Sequence, residues 1–476
     1  LNAETPAHPR ALCVDLDGTL LLSDLLYESF LSMLSSRPWL LVCIPLWLFR
    51  GKAHLKRKLA AFGAGSAAAL PYDPRVLQLL RETTDRPRVL CTASDAQLVY
   101  PIAEHLNLFD EVHCSDGRIN LAGSRKARLL LERFGEKGFD YVANDMVDLR
   151  IWKHAHSAWV VNAGPTVSKA AAKVCSVEAY WPRSGSSPLT WLKALRVHQW
   201  LKNLLVFVPL LASHSFSQLN GLLTSASAFL AFGLCASGVY LLNDLLDLES
   251  DRGHPRKRRR PFAAGTLDLR AGLVAAPLLT IAGLATAWLA SPAFLAVLAT
   301  YYLLTLAYSL KLKQIVIIDV VTLAALYTIR IIGGAAAIGV TPSFWLLALS
   351  LFLFLSLAML KRFTELQMTL GAGKFIPSGR GYHVEDLSLV QSLGTASGLM
   401  AVLVLCLYIN TPDSQALYSH PFFLWLLCPI LLYWISRTWM LAHRGLMHDD
   451  PVVFAVKDRG SLITVLLGAA AVLAAM

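Results

Sequence analysis

The sequence predicts two parts of different fold class: an α/β domain with a parallel sheet, then an all-α bundle of nine transmembrane helices. The first observation is uneven apolarity. Across 476 residues 55% are apolar and mean hydropathy is +0.51. Residues 1–190 read as mixed soluble sequence, and from about 200 onward come apolar segments near 20 residues long, enough to cross a bilayer core of ~30 Å. The second observation is alternation of short apolar runs with helical stretches before residue 165. Formal net charge is +11, much of it in short loops between apolar segments. That pattern points to topology and to anionic headgroups or phosphorylated substrates, not to nucleic acid. Eight scattered Cys without CxxC pairs suggest reduced thiols facing the cytosol. The polar opening residues show no signal-peptide pattern.

The first strand, Ala11–Val14, runs into Asp15-Leu16-Asp17-Gly18-Thr19. Carboxylates at a strand end with a Gly turn suit Mg²⁺ and a phosphate. Strand-like runs recur at 88–92, 141–143 and 158–162, with helical segments such as 96–106 and 125–134 between them. Such alternation places ligands at the carboxyl ends of the strands.

The Asp15-to-Thr19 segment resembles the first motif of the haloacid-dehalogenase (HAD) phosphatase superfamily. Thr92 after an apolar strand is similar to its second motif, Lys126 in Gly123-Ser124-Arg125-Lys126-Ala127 to its third, and Asn144-Asp145-Met146-Val147-Asp148 to its fourth. The resemblance covers roughly 10–165 and implies a Rossmann-like domain over 1–165. It implies Asp15 as nucleophile and Asp17 as general acid/base. Thr92 and Lys126 would hold phosphoryl oxygens, and Mg²⁺ would sit on Asp15, Asp17 and Asp148. Ala143 and Asn144 stand where the family commonly has Gly-Asp, so Asp145 is taken as a substitute metal ligand. The other reading is a degenerate domain.

Residues 21–87 fall where the family inserts a cap. They contain Pro38–Phe49, with Trp39 and Trp47, followed by Arg50, Lys52, Lys56, Arg57 and Lys58. Twelve residues are too few to span a bilayer. The segment either lies in the headgroup region, which makes the phosphatase substrate lipid-linked, or is a buried cap helix.

Pro, Gly and Ser clusters between Gly164 and Pro188 predict a linker over 166–190 before a membrane domain over 191–476. Nine apolar segments follow: 200–216, 221–242, 271–291, 293–310, 315–340, 342–360, 389–410, 421–441 and 460–476. Lys and Arg cluster in loops 243–270, 311–314, 361–388 and 442–459 and are absent near 217–220, 292, 341 and 411–420. The positive-inside rule then puts the N-terminal domain and both candidate sites on the cytoplasmic side of the inner membrane.

The stretch with the densest chemistry is Asn243-Asp244-x-x-Asp247-x-x-x-Asp251, followed by His254, Lys257, Arg258 and Arg260. In one helix the three aspartates share a face about 10 Å long, repelling one another unless a divalent cation sits among them. The basic run would hold phosphate oxygens. This pattern strongly resembles the first signature of the UbiA-type prenyltransferase superfamily, which implies a nine-helix bundle with a polar cavity on the cytoplasmic side. The family's second acidic motif is reduced here to Asp319. Gln199-Trp200-Leu201-Lys202-Asn203, Tyr308 with Lys313 and Asp319, Tyr327 to Arg330 with Gly333-Gly334, Lys361-Arg362 and Lys457-Asp458-Arg459 resemble the decaprenyl-phosphate phosphoribosyltransferase branch.

That resemblance implies Mg²⁺ on Asp244, Asp247 and Asp251, with Asp244 and Asp247 central to catalysis. Phosphoribosyl diphosphate and a polyprenyl phosphate would be held by Lys202, Asn203, Asn243, His254, Lys257, Arg258, Arg260, Tyr308, Lys313, Asp319, Arg330, Lys361 and Arg362. The cofactor implied for both domains is Mg²⁺. Lys202, Asp319 and Arg330 are costly in hydrocarbon, so they either face a polar cavity or pair with one another. Lys361 and Arg362 also fit positive-inside anchors, and Trp200, Tyr240 and Trp439 fit interface-belt aromatics. Two other classes stay open: an aromatic-acceptor polyprenyltransferase with an independent phosphatase, and a membrane carrier.

Overall fold

The computed structural model describes residues 10–183, 187–213, 218–371, 373, 380–447 and 451–476. The chain divides into two compact units. One comprises Leu1–Leu195 and Tyr240–Ala276, the other Arg196–Val239 and Pro277–Met476.

The first unit is built on six strands: β1 (Ala11–Val14), β2 (Arg88–Asp95), β3 (Glu111–Ser115), β4 (Phe139–Ala143), β5 (Ser157–Ala163) and β6 (Ser176–Pro182). They form one parallel sheet in the order β3-β2-β1-β4-β5-β6. Alternation along β1 sends Ala11 and Cys13 into one core with Val89, Phe139, Tyr141 and Trp152, and Leu12 and Val14 into the other with Leu90, Val142 and Val161. A strand needs this two-sided apolarity when both faces of its sheet are covered. The order reverses at β1, with β2 on one side and β4 on the other. Such a switch opens a crevice at the carboxyl ends of the strands, where Asp15 follows β1.

Helices α1 (Leu25–Ser36), α2 (Ile44–Phe49), α3 (Lys52–Ala60), α4 (Pro74–Glu82), α5 (Ala96–Leu106) and α6 (Ser124–Phe134) complete the visible framework. Asp24, Asp73 and Asp95 each cap the helix that follows, accepting from Leu26, Arg75 and Gln97 backbone N–H groups respectively. Two expectations change here. The stretch expected as a linker contains a helix, Pro165–Ala171, and the sixth strand, which pairs in parallel with β5. Nor is Pro38–Phe49 a buried cap helix. It is a 3₁₀ turn running into α2, with Trp39 66%, Val42 82% and Phe49 91% exposed.

Helices Leu219–Leu246 and Leu269–Ala290 carry the chain between the units. With Pro292–Leu310, Ile318–Ile338, Phe344–Gly371, Val384–Ile409 and Pro421–His443 they make, among the described residues, seven helices long and apolar enough to cross a membrane. The chain is therefore a multi-pass membrane protein. The count differs from the nine expected. The first segment is a 3₁₀ stretch, Val197–Phe207, turning into the five-residue helix Val208–Ala212, and residues 214–216 of it lie outside the described chain. The last, Arg459–Ala475, has 17 residues.

Inside the second unit, small residues let elements approach closely. A Cβ on Gly334 would stand 2.0 Å from the Val206 carbonyl oxygen. Tyr327 stacks on Phe354 with ring centroids 4.9 Å apart. Trp439 is buried and donates to Ser356 Oγ at 3.1 Å, so it is a core residue and not an interface-belt aromatic.

Candidate active sites

At the carboxyl end of the central strand β1 the Asp15-to-Thr19 turn is held by Gly18, at φ +73°. A Cβ there would lie 2.2 Å from Asn144 Nδ2, so glycine is required both for the left-handed backbone and for space. Asn144 packs over this turn, with its Oδ1 accepting from Thr19 Oγ at 3.3 Å. Lys126, from the buried face of α6, reaches Asp15 Oδ1 at 2.8 Å and Tyr141 Oη at 3.1 Å. Tyr141 donates to Asp148 Oδ1 at 3.4 Å.

Asp17 lies beneath β2. Its Oδ2 accepts from Ser94 Oγ at 2.5 Å and Thr92 Oγ at 3.4 Å, and its Oδ1 from Leu25 N at 2.8 Å. The Thr92 hydroxyl is thus on Asp17. Ser94 was not anticipated, although it stands two residues after Thr92 and so shares its strand face. Lys56 was foreseen only as part of a basic flank; it reaches Ala93 O at 2.7 Å and Asn120 Oδ1 at 3.2 Å.

Electrostatics follow from crowding. Burial first, then the charges of Asp24 and Asp15, push Asp17 up to about 7. Burial and Asp15 do the same to Asp148, also to about 7. Burial pulls the Lys126 ammonium down, but Asp15 and Asp148 outweigh it and hold it above the usual lysine range. Asp145 is exposed and caps the next turn through Val147 N. All these groups line one cavity of about 1020 Å³.

Among the described residues no three His, Cys, Asp or Glu side chains are gathered as metal ligands. The expected four-aspartate set is therefore not assembled. The Asp15–Asp148 pair remains, and its mutual repulsion is what a hard divalent cation relieves. Mg²⁺ commonly takes one or two carboxylates plus phosphate oxygens, so this donor pair fits it.

The acid-rich stretch also belongs to the first unit. Its three aspartates do not lie on one unbroken helix. Leu219–Leu246 ends before Asp247, which sits at φ −95° and ψ 12°, and the short helix Leu248–Arg252 follows. Arg260 Nη1 bridges the two buried members, Asp244 Oδ1 at 3.1 Å and Asp251 Oδ2 at 2.6 Å. Asp251 Oδ1 is buried without a hydrogen-bond partner among the described residues, an acceptor that a divalent cation or a hydrated phosphate would satisfy. Asp247 and Asn243 are half-buried, while His254, Lys257 and Arg258 are exposed. His254 Nδ1 accepts from Arg256 N at 3.2 Å and so shapes the basic turn. Arg252 forks onto Glu28 of α1 at 3.0 and 2.6 Å and onto Ala263 O at 3.1 Å, with both charged side chains nearly fully buried.

In the second unit Asp319 and Arg330 belong to separate charged groups and do not pair with each other. Asp319 meets Arg362 Nε at 2.5 Å, Arg380 Nη1 at 3.2 Å and Tyr308 Oη at 2.8 Å, and Arg362 also bonds Glu365. Arg362 is fully buried and so is no interfacial anchor. Arg330 bonds Asn203 Oδ1 at 2.9 Å, Tyr301 Oη at 3.0 Å and the Leu326 carbonyl. Lys202 lies 5.6 Å from the Tyr327 ring centroid, and Lys313 and Lys361 are half-buried. Arg380, a charge of loop 361–388 in the sequence, and Glu365, which belongs to the branch-like segment that begins at Lys361-Arg362, complete the first group.

Residues 204–457 match the model of the UbiA prenyltransferase family. Uncharacterized protein y4nM of Sinorhizobium fredii is 38% identical over 97% of this chain and 90% of its own length. Nodulation protein NoeC of Azorhizobium caulinodans is 37% identical over 58% of this chain and 90% of its own. Decaprenyl-phosphate phosphoribosyltransferase of Mycobacterium tuberculosis is 35% identical over 39% of this chain, which spans 63% of that enzyme.

Proposed function

The chain belongs to the UbiA prenyltransferase family, and from that premise we propose a bifunctional membrane enzyme of two successive steps. In the first, an oxygen of a polyprenyl phosphate of the decaprenyl class attacks the anomeric carbon of phosphoribosyl diphosphate. The C1–O bond to pyrophosphate breaks and pyrophosphate leaves. In the second, the 5-phosphate of that lipid product is hydrolysed, giving polyprenyl phosphoryl-ribose. The likeness to decaprenyl-phosphate phosphoribosyltransferases supports the first step.

One observation carries the pairing of the steps. The acid-rich stretch folds into the same unit as the Asp15 cavity, clasped to it by the Arg252–Glu28 fork.

For the transfer, Asp244 and Asp251 would hold Mg²⁺, with Asp247 beside them. The metal would supply charge neutralisation for the departing pyrophosphate. Lys257, Arg258 and Arg260 would bind its oxygens, and no covalent enzyme intermediate is needed. Within the second unit, the group of Asp319, Arg362, Arg380 and Tyr308 and that of Arg330 and Asn203 carry fixed charges and dipoles of the kind that bind phosphate oxygens.

For the hydrolysis, the Asp15 carboxylate attacks phosphorus while the bond to ribose O5 breaks. Asp17, with a pKa near neutrality, gives O5 its proton. Water then hydrolyses the aspartyl-phosphate with Asp17 as base. Lys126 neutralises the developing charge, and Mg²⁺ on Asp15 and Asp148 would add to it. The exposed apolar face of Pro38–Phe49 supports a lipid-linked substrate, because Leu48 stands both on that face and in the cavity lining. The charged loops, the N-terminal unit and both sites would lie on the cytoplasmic side of the inner membrane.

The test is mass spectrometry of lipids formed by purified protein from phosphoribosyl diphosphate, polyprenyl phosphate and Mg²⁺. The expected product is a pentosyl phospholipid; its absence would end the transferase reading. A second reading, prenyl transfer from a polyprenyl diphosphate to an aromatic acceptor, is favoured by the family description. It is opposed by Asp319, which is neutralised by two arginines where a second acidic motif would gather metal. Prenylation of hydroxybenzoate would decide for it.

A further inference from the structure

We infer that the Asp15 cavity is built for a phosphomonoester carrying a second anionic group, and that Arg270, brought in by the acid-rich segment, recognises that group. This rests on the phosphatase reading above. At about 1020 Å³ the cavity falls at the top of the range for drug-sized ligands, far beyond a single phosphate. The cations nearest the chemistry are already engaged: Lys126 by Asp15 and Tyr141, Lys56 by Ala93 and Asn120. The same cavity is lined by Lys52, Arg183 and Asp268-Leu269-Arg270.

The two arginines that this segment sends to α1 and its N-cap behave differently. Arg252 is buried, with Glu28 and the Ala263 carbonyl taking both edges of its guanidinium, and is structural. Arg270 is 56% exposed and gives one N–H to Asp24 Oδ2 at 2.7 Å. Its guanidinium lies 4.9 Å from the Tyr27 ring centroid, so carboxylate and ring together orient it. A guanidinium has five N–H donors in a rigid fork, and this arrangement leaves donors for an anion in the cavity. Arg183 Nη1 stands 3.6 Å from Asp268 Oδ2, outside hydrogen-bond length, and supplies a second guanidinium to the lining.

The recognised group is a phosphodiester joining the sugar to its lipid, while the terminal phosphomonoester meets Asp15. Substrates of this class carry two phosphates on one pentose.

The experiment uses the full chain in detergent with Mg²⁺ and two soluble probes, ribose 5-phosphate and its C1 octyl-phosphodiester. The diester probe should have the higher kcat/KM by about 10- to 100-fold, the worth of a charge-assisted contact. Arg270→Gln should erase most of that ratio through KM, and Arg270→Lys should restore part of it. Arg183→Gln, which does not touch Asp24, should lower the same ratio and keeps the test valid if Arg270→Gln folds poorly. Equal kcat/KM for the two probes, or an unchanged ratio in both Gln variants, would overturn the inference and leave the phosphatase reading standing. No Asp15-dependent phosphate release from either probe would overturn both.

Discussion

Two acidic centres lie in one unit and settle their repulsion in different ways. At the carboxyl end of β1 a lysine pairs with Asp15, while Asp17 and Asp148 stay crowded enough to hold protons up to about 7. In the acid-rich stretch Arg260 clamps Asp244 and Asp251. A guanidinium does not deprotonate, so that centre faces a fixed positive charge. The contrast separates a place suited to moving protons from one suited to holding charge. The two proposed steps make the same division: the hydrolysis needs a general acid and the transfer a stabilised leaving group.

The largest effect should come from removing the proposed nucleophile. Asp15→Asn should lower phosphate release by about 10³-fold or more and accumulate the phosphorylated lipid, with pentosyl transfer intact; a mass spectrum of the lipid products reads both. Loss of transfer in the same variant would break the separation of the two centres. Glu28→Gln leaves Arg252 buried without its counter-charge, a loss of about 3–5 kcal/mol visible in thermal melts. Glu28→Leu with Arg252→Met should recover most of it.

The pH dependence tests the proton-holding centre. Folded-state pKa values near 7, against 3.8 unfolded, mean that the native unit keeps protons the unfolded chain sheds. The contribution of these groups to stability is therefore present below pH ~4 and falls as pH rises through ~7. With chelator present, the melting temperature should drop by roughly 3–6 °C between about pH 5 and pH 8, and Asp148→Asn should flatten the slope. No slope would mean that these carboxyls are ionised in the native state. The smallest effect concerns the apolar cap face. Trp39→Ser with Phe49→Ser should raise KM for the lipid substrate by about 10-fold and that for a soluble ester by less than twofold.

The sequence made motifs legible wherever chemistry needs a fixed local order. Asp15, Asp17 and Gly18 follow a strand, and the aspartates from 244 to 251 sit beside a basic run, so each cluster could be read before any fold. What could not be read depends on side chains far apart in the chain. The fork of Arg252 on Glu28 spans 224 positions, and Arg270 reaches Asp24 across 246. The last strand was misread for a different reason. Ser176–Pro182 is a half-exposed edge whose residues alternate between exposed and partly buried, and its Pro and Gly/Ser neighbours look like a spacer. The 3₁₀ stretch at Val197–Phe207 was likewise hidden, because apolarity alone does not distinguish it from a span.

The fork between Arg252 and Glu28 also governs how this chain can be taken apart. Its composition changes near residue 190, and a designer would cut there to obtain the α/β part. Such a fragment would strand a buried glutamate, open the wall that Asp268 and Arg270 close, and expose Leu22 and Pro71, which pack against Gly265. Residues 240–276 are thus part of the α/β unit in space although they lie far from it in sequence. An excised α/β unit would have to carry residues 240–276 on a new linker to be whole.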